Sequence, residues 1–286
     1  MDSCTDPTRD VFLKRFARFL VCFISLCVIG CGAQRPIPAA GLQLWLKADE
    51  GVRSHDSTVS RWEDQSGNGN DAIQQTAYRQ PHLRRNALNG KPVLHFDGFD
   101  DRLGLTGSNP MHQISLFIVV KLDHFDRGLP LEVIVFGDAD ASGHKWGVTM
   151  GSRFTRYSPD SLIVFTGTPG YVFASGPGCN AFGVWHVLSV ITDSDIWRTA
   201  VRANGVDARV THTPANLSVS VPLGNPAGAG LGGIAGVDWS DGRTATACDI
   251  AEVIVYDSVL PDSINRSVES YLAMKYRIPA DSGAQK

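Results

Sequence analysis

Between Leu42 and Tyr256 the apolar residues of this chain arrive in short runs rich in Val, Ile and Phe, closed by Gly, Pro, Asn or Asp. Such runs, regularly spaced and without helical periodicity between them, are what a stack of β-strands requires. They cover Val59 to Trp62, Pro92 to Phe96, Ile114 to Leu122, Leu131 to Phe136, Trp146 to Met150, Ser161 to Phe165, Trp185 to Ile191 and Ile250 to Tyr256. Leu42, Leu44 and Leu46 alternate with Gln43, Trp45 and Lys47, the period of a half-buried strand. Asn204-Gly205 predicts a hairpin joining Trp197–Arg202 to Ala208–His212. One segment has helical spacing: Ile264, Val268, Tyr271, Leu272 and Lys275 share a face, Pro261 suits the first turn and Pro279 stops it. A chain of 286 residues with this pattern fits one large all-β domain. The 29 Gly and 15 Pro are dispersed, which favours many turns over a disordered tract.

The first thirty residues follow a different logic. Arg9, Lys14, Arg15 and Arg18 precede an apolar stretch from Phe19 to Gly30, the layout of a secretion signal. That stretch falls short of the roughly 20 apolar residues a membrane span needs. It ends in Val28-Ile29-Gly30-Cys31, which resembles a bacterial lipobox; the resemblance implies cleavage before Cys31 and acylation of that cysteine. The expected organisation is a signal over residues 1–30, a tether over 31–40 containing Pro36 and Pro38, a domain over 41–280 and a tail over 281–286. The expected location is the bacterial cell envelope, at the outer membrane or the periplasmic face. A plain signal peptide cut near Ala33, or an uncleaved anchor, is the alternative. Cys4, Cys22 and Cys27 leave with the signal, so Cys179 and Cys248 remain. In an oxidising compartment these two would form a disulfide worth about 2–4 kcal/mol, or stay as two separately buried thiols.

Two segments carry a family resemblance. Leu42 to Ala72 opens LQLWLKADEGV and closes WEDQSGNGNDA, and Asp249 to Tyr276 runs DIAEVIVYDSVLPDSINRSVESYLAMKY. Both resemble the concanavalin A-like lectin/glucanase superfamily, and within it the laminin-G-like (LamG) domains of bacterial surface proteins. The resemblance implies a two-sheet antiparallel β-sandwich of jelly-roll type with one C-terminal α-helix packed beside it. It also implies a non-catalytic module that binds carbohydrate or a protein partner. A jelly-roll glycoside hydrolase or lyase is one alternative, and an adhesion module without a sugar site is another.

The chemistry-bearing residues separate these readings only in part. A glycosidase sets two carboxylates about 5–9.5 Å apart across the scissile bond. The Glu-x-Asp-x-x-Glu signature of related glucanases is missing, and neither Glu132 nor Glu252 has a carboxylate two residues away, so no catalytic residue is assigned. Glu252, the sole charge in an apolar strand, is expected to face solvent or pair with an arginine. Asp138-x-Asp140-x-Ser142-Gly143 resembles the first half of a calcium loop, but Thr149 stands where a bidentate Glu is needed. A turn capped by its own aspartates explains the same residues. Calcium is the one cofactor these acids would suit. Asp97, Asp100 and Asp101 form a second acidic cluster in a phrase, FDGFDDRL, that resembles a recurrent family motif; either a cation or turn capping would account for it.

Trp45, Trp62 and Trp185 lie in strand context and are expected in the core. Trp239, flanked by Asp238 and Asp241 in the Gly-rich segment Leu223 to Asp241, is the candidate for stacking on a sugar, with Trp146 a weaker one. A net charge of -3 without a basic stripe leaves no nucleic-acid footprint. The eight histidines lack zinc spacing, and no phosphate-cradling loop or nucleophile elbow is present.

Overall fold

The computed structural model describes residues 37–107, 111, 113–123, 131–136, 146–150, 162–166, 171–175, 179, 182–193, 198–213, 230–231 and 247–279. The chain divides between Pro36 and Ile37 into two compact units, and the described residues all belong to the second.

Eighteen strands occur among the described residues. The first nine are β1 (Leu42–Lys47), β2 (Val52–His55), β3 (Thr58–Trp62), β4 (Ala72–Ile73), β5 (His82–Leu88), β6 (Lys91–Asp97), β7 (Leu103–Leu105), β8 (Ile114–Leu122) and β9 (Leu131–Phe136). The rest are β10 (Trp146–Met150), β11 (Leu162–Thr166), β12 (Tyr171–Ser175), β13 (Trp185–Thr192), β14 (Ala200–Ala203), β15 (Val206–Asp207), β16 (Arg209–Thr213), β17 (Gly230–Leu231) and β18 (Ala247–Tyr256). One α-helix follows, Asp262–Tyr276.

All pairings are antiparallel and fall into two runs. One is β2-β3-β4-β7-β17-β9-β10-β11-β12-β16. The other is β5-β6-β18-β8-β13-β14-β15, with β1 beside the C-terminal half of β18. A bridge at Thr58 and His82 joins them. Both runs feed one apolar core: Val59, Trp62, Leu103 and Ile134 from the first meet Leu46, Phe96, Ile118 and Val253 from the second. The all-β expectation, with a single C-terminal helix among the described residues, is met.

β8 and β18 read as near-continuous apolar runs because both of their faces are covered. Leu116, Ile118 and Val120 face the inter-sheet core, whereas Phe117 and Val119 lie under the helix with Ile254 and Tyr256. Val268, Leu272 and Tyr276 complete that second cluster from the helix side. Pro261 precedes the helix as its cap, and its carbonyl accepts the amides of Ile264 and Asn265 at 2.9 and 3.0 Å. Asn204-Gly205 makes the expected turn with φ of 50° and 80°, but it pairs β14 with the two-residue β15; the expected second strand, Ala208–His212, lies mostly in β16 and pairs with β12 instead. Asn89-Gly90 makes a second turn of the same kind between β5 and β6.

Three expectations need correction. The alternation of β1 is broken by a bulge between Leu42 and Leu44, so Leu44 and Leu46 face the inter-sheet core while Leu42 and Trp45 face the helix. Residues 37–40 are not free tether: Ile37 is buried in the helix-side cluster, and the Pro38 carbonyl accepts the Tyr256 hydroxyl at 3.0 Å. Cys179 and Cys248 are unbridged thiols, each buried in the inter-sheet core. Burial pushes Cys179 up to about 11 and Cys248 well above its ordinary value, so both are held as inert apolar groups.

The Ser66–Asp71 turn, half of the sequence resemblance, serves the fold. Asp64 accepts the amides of Trp45 (2.9 Å), Ser66 (2.9 Å) and Asn70 (3.0 Å) and the Ser66 hydroxyl (2.6 Å). Asn68 and Asn70 donate side-chain amides to the carbonyls of Leu42 and Gln43, each at 2.7 Å, at the bulged end of β1. Asp64→Ala strands these donors and is expected to lower stability by about 1–3 kcal/mol in urea unfolding.

Candidate functional site

At one rim the ends of four neighbouring strands converge. Asp97 at the end of β6 faces Ala247 at the start of β18, Cys248 faces Leu122 at the end of β8, and Lys121 faces Trp185 at the start of β13. The Asp123 amide donates to the Ala247 carbonyl at 3.0 Å, and the Gly183 amide to that of Leu122 at 2.7 Å. Gly98 allows the close approach: its φ is 78°, and a Cβ there would lie 2.7 Å from the Ala247 nitrogen.

The turn after β6 carries the first charged group. Asp97 caps it, accepting the Phe99 amide at 2.7 Å and the Asp100 amide at 3.4 Å. Asp101 is 4% exposed and accepts the Asp97 amide at 2.9 Å. Carboxylate oxygens of Asp97, Asp100 and Asp101 lie within 4.8 Å of one another. Burial, with the neighbouring charges of Asp97 and Asp100, pushes the Asp101 carboxyl up to about 7 despite the opposing Asp97 amide and His95. Phe99, in the same turn, is 51% exposed.

The second group surrounds Asp249. His95 Nδ1 and Lys121 Nζ each lie 2.8 Å from its carboxylate, and an Arg84 guanidinium nitrogen lies at 3.4 Å. Burial alone would raise Asp249, but the hydrogen bonds from His95 and Lys121 and the charges of Lys121 and Arg84 outweigh it and hold the carboxyl low. Lys121 also stands 5.8 Å above the Trp185 ring, which is half-buried rather than core as expected. His95, Asp123 and Asp249 have metal-like spacing, yet the Lys121 ammonium already supplies the cation Asp249 needs. The three-carboxylate turn is the better fit to a hard cation, which takes oxygen ligands and would relieve the repulsion felt by Asp101.

Glu252 is not part of this rim and does not face solvent or an arginine. It is fully buried at the far side of a bulge in β18, bonded to Trp45, Tyr271, Lys275 and Tyr276. Trp45 and Trp62 are buried as expected. A cleft of about 180 Å³ between the helix and the β13–β14 strands is lined by Val187, Asn204, Arg266, Glu269, Ala273 and Ile278. Its buried carboxylate, Glu269, is already taken by Ser189 at 2.5 Å and Arg202 at 3.4 Å, which leaves little for a ligand to recognise.

Asp238, Trp239 and Asp241, the calcium-loop residues Asp138, Asp140 and Ser142, and Cys31 all lie outside the described residues. Trp146 is the first residue of β10, opposite Phe136 and Thr166, with its side chain outside the description. The sequence reading missed Phe99, His95, Lys121, Asp123 and Asp249 as neighbours of the Asp97–Asp101 turn. The only signal for Phe99 was its place inside an acidic turn; His95, Lys121 and Asp249 sit in strands and Asp123 follows the end of β8, where nothing local marks them.

No protein-family profile and no curated protein sequence matches the chain. Solved structures do share its fold. Domain 4 of AbnA, a GH43 extracellular arabinanase from Geobacillus stearothermophilus in complex with arabinotriose, is similar at a TM-score of 0.53 and 15% identity, over 80% of this chain and 97% of that one. The binding domain of Paraclostridial Mosquitocidal Protein 1 is similar at 0.55 and 11% identity, over 82% of this chain and 53% of that one. The Trypanosoma rangeli sialidase in complex with the inhibitor DANA is similar at 0.53 and 15% identity, over 84% of this chain. This chain spans only 34% of the sialidase. These likenesses establish the fold alone.

Proposed function

We propose that the protein is a LamG-like jelly-roll module, lipid-anchored through Cys31 in the bacterial cell envelope, that binds carbohydrate without catalysing its breakdown. The observation that carries this reading is the rim: Phe99, 51% exposed, lies within the turn of Asp97, Asp100 and Asp101, and the neighbouring strand ends carry His95 and Lys121 on Asp249. A flat apolar ring flanked by oriented polar groups is what a sugar's CH face and hydroxyls require. In the sequence Asp238, Trp239 and Asp241 precede Ala247 by six to nine residues. The arabinanase domain was solved with arabinotriose and one sialidase structure with sialic acid, which supports a sugar ligand for this fold. A protein partner remains the other outcome of the test.

Calorimetry against oligosaccharides chosen from a glycan array tests the reading. Phe99→Ala is expected to weaken binding by about tenfold, equivalent to about 1.4 kcal/mol. A blank array would favour a protein ligand or a purely adhesive role.

One observation favours a second reading. A carboxyl raised to about 7 within a group of carboxylates is what a general acid needs, and Asp101 beside Asp97 and Asp100 meets that description. Reducing ends or unsaturated products released from a polysaccharide by the wild type, and abolished by Asp101→Asn, would replace the binding module with a hydrolase or lyase.

A further inference from the structure

We propose that the anchor orients the molecule, holding the rim of Asp97 and Phe99 away from the bilayer that carries it. The inference rests on acylation of Cys31 as read above. The chain enters the domain at Ile37, which is buried in the same apolar cluster as Leu42 and Tyr256. The Pro38 carbonyl accepts the Tyr256 hydroxyl at 3.0 Å, and the Ala39 carbonyl accepts the Leu42 amide at 3.3 Å. Tyr256 is the last residue of β18 and Ala247 the first, so the point of attachment and the rim occupy opposite ends of one strand. Ten strand residues at about 3.3 Å each separate them by about 30 Å.

Residues 32–36 join Cys31 to Ile37, and six fully extended steps span at most about 20 Å. To turn the rim toward the bilayer, this leash would have to run from the headgroups past the rim to the far end of β18. It is about 10 Å too short. Docking of residues 37–40 is what makes it short; a tether free through Ala40 would reach about 35 Å and impose no orientation. The rim is therefore presented to a soluble or wall polymer, not to the headgroups of the anchoring leaflet.

The test uses full-length acylated protein in vesicles carrying a headgroup-attached acceptor dye. Val184→Cys places a donor at the rim and Val259→Cys places one at the anchored end; both valines are exposed, at 52% and 43%. Cys179 and Cys248 are buried and stay unlabelled. Energy transfer is expected to be at least about twofold greater from position 259 than from 184. Inserting about twenty Gly/Ser residues after Gly32 gives a reach well beyond 30 Å and is expected to erase the difference. Equal or reversed transfer in protein that incorporates radiolabelled fatty acid would overturn the orientation while leaving the anchor intact. Failure to incorporate label, or label that survives Cys31→Ala, would overturn the anchor and the orientation with it.

Discussion

Glu252→Gln is expected to destabilise the domain by about 3–5 kcal/mol, the usual consequence of removing one partner from a buried ion pair. Glu252 is fully buried in β18 and has donors on both oxygens. Oε1 accepts Trp45 Nε1 at 2.7 Å and the Tyr271 hydroxyl at 3.0 Å, while Oε2 accepts Lys275 Nζ at 2.7 Å and the Tyr276 hydroxyl at 2.8 Å. A glutamine has one oxygen, so whichever way it turns, its amide nitrogen confronts two donors. Asp49, at 2.9 Å, is then the carboxylate left to Lys275. Burial and the Glu252 charge push the Tyr271 and Tyr276 hydroxyls above their ordinary range, so both remain donors at neutral pH. Three of these four donors sit on the helix and the fourth on β1, so the network fastens both to β18. Urea unfolding should show a lower midpoint at unchanged slope. A cycle with Lys275→Met should show coupling well above the few tenths of a kcal/mol seen between independent sites. A loss below about 1 kcal/mol would mean that apolar packing alone holds the helix.

Asp101→Asn is expected to do the opposite, raising stability at pH 8 by up to about 4 kcal/mol and leaving it unchanged near pH 4. The carboxyl shifts from 3.8 to about 7 on folding, so between those values the native state holds a proton that the unfolded chain has released. Stability contributed by Asp101 is thus fully present below about pH 4, falls as pH rises, and is gone above about pH 7. Asparagine keeps the acceptor for the Asp97 amide and mimics the protonated form throughout. Asp249 works in the opposite sense and in a lower window: its carboxyl is held low, so its contribution is present above its ordinary value and lost as pH falls through the folded one. Subtracting variant from wild type removes that background. Thermal unfolding from pH 4 to 8 measures the difference, and a difference that does not grow with pH would remove the case for a strained carboxyl. If a hard cation sits among Asp97, Asp100 and Asp101, millimolar calcium should stabilise the wild type at pH 8 and leave Asp101→Asn unmoved.

The rim was legible only where its residues are neighbours in the chain. Asp97, Asp100 and Asp101 announce themselves in one short turn, and the capping role expected of such aspartates holds for Asp97. Asp101 also caps, accepting the Asp97 amide, but its raised carboxyl follows from burial of that side chain, which no local pattern encodes. His95, Lys121 and Asp249 come together from β6, β8 and β18, and each looks in sequence like an isolated polar residue in a strand. The same limit explains Glu252: its partners Trp45 and Lys275 stand 207 and 23 residues away.

Local pattern by itself determined that this chain makes short antiparallel strands, tight Asn-Gly turns and one terminal helix, because side-chain period and turn chemistry act between adjacent residues. Tertiary structure alone decided which way Trp45 points, that Cys179 and Cys248 stay apart, and that residues 37–40 dock on the domain. Those outcomes depend on strand register, where a single bulge sends every following side chain to the opposite face. Register is settled only when distant segments bury their apolar faces together.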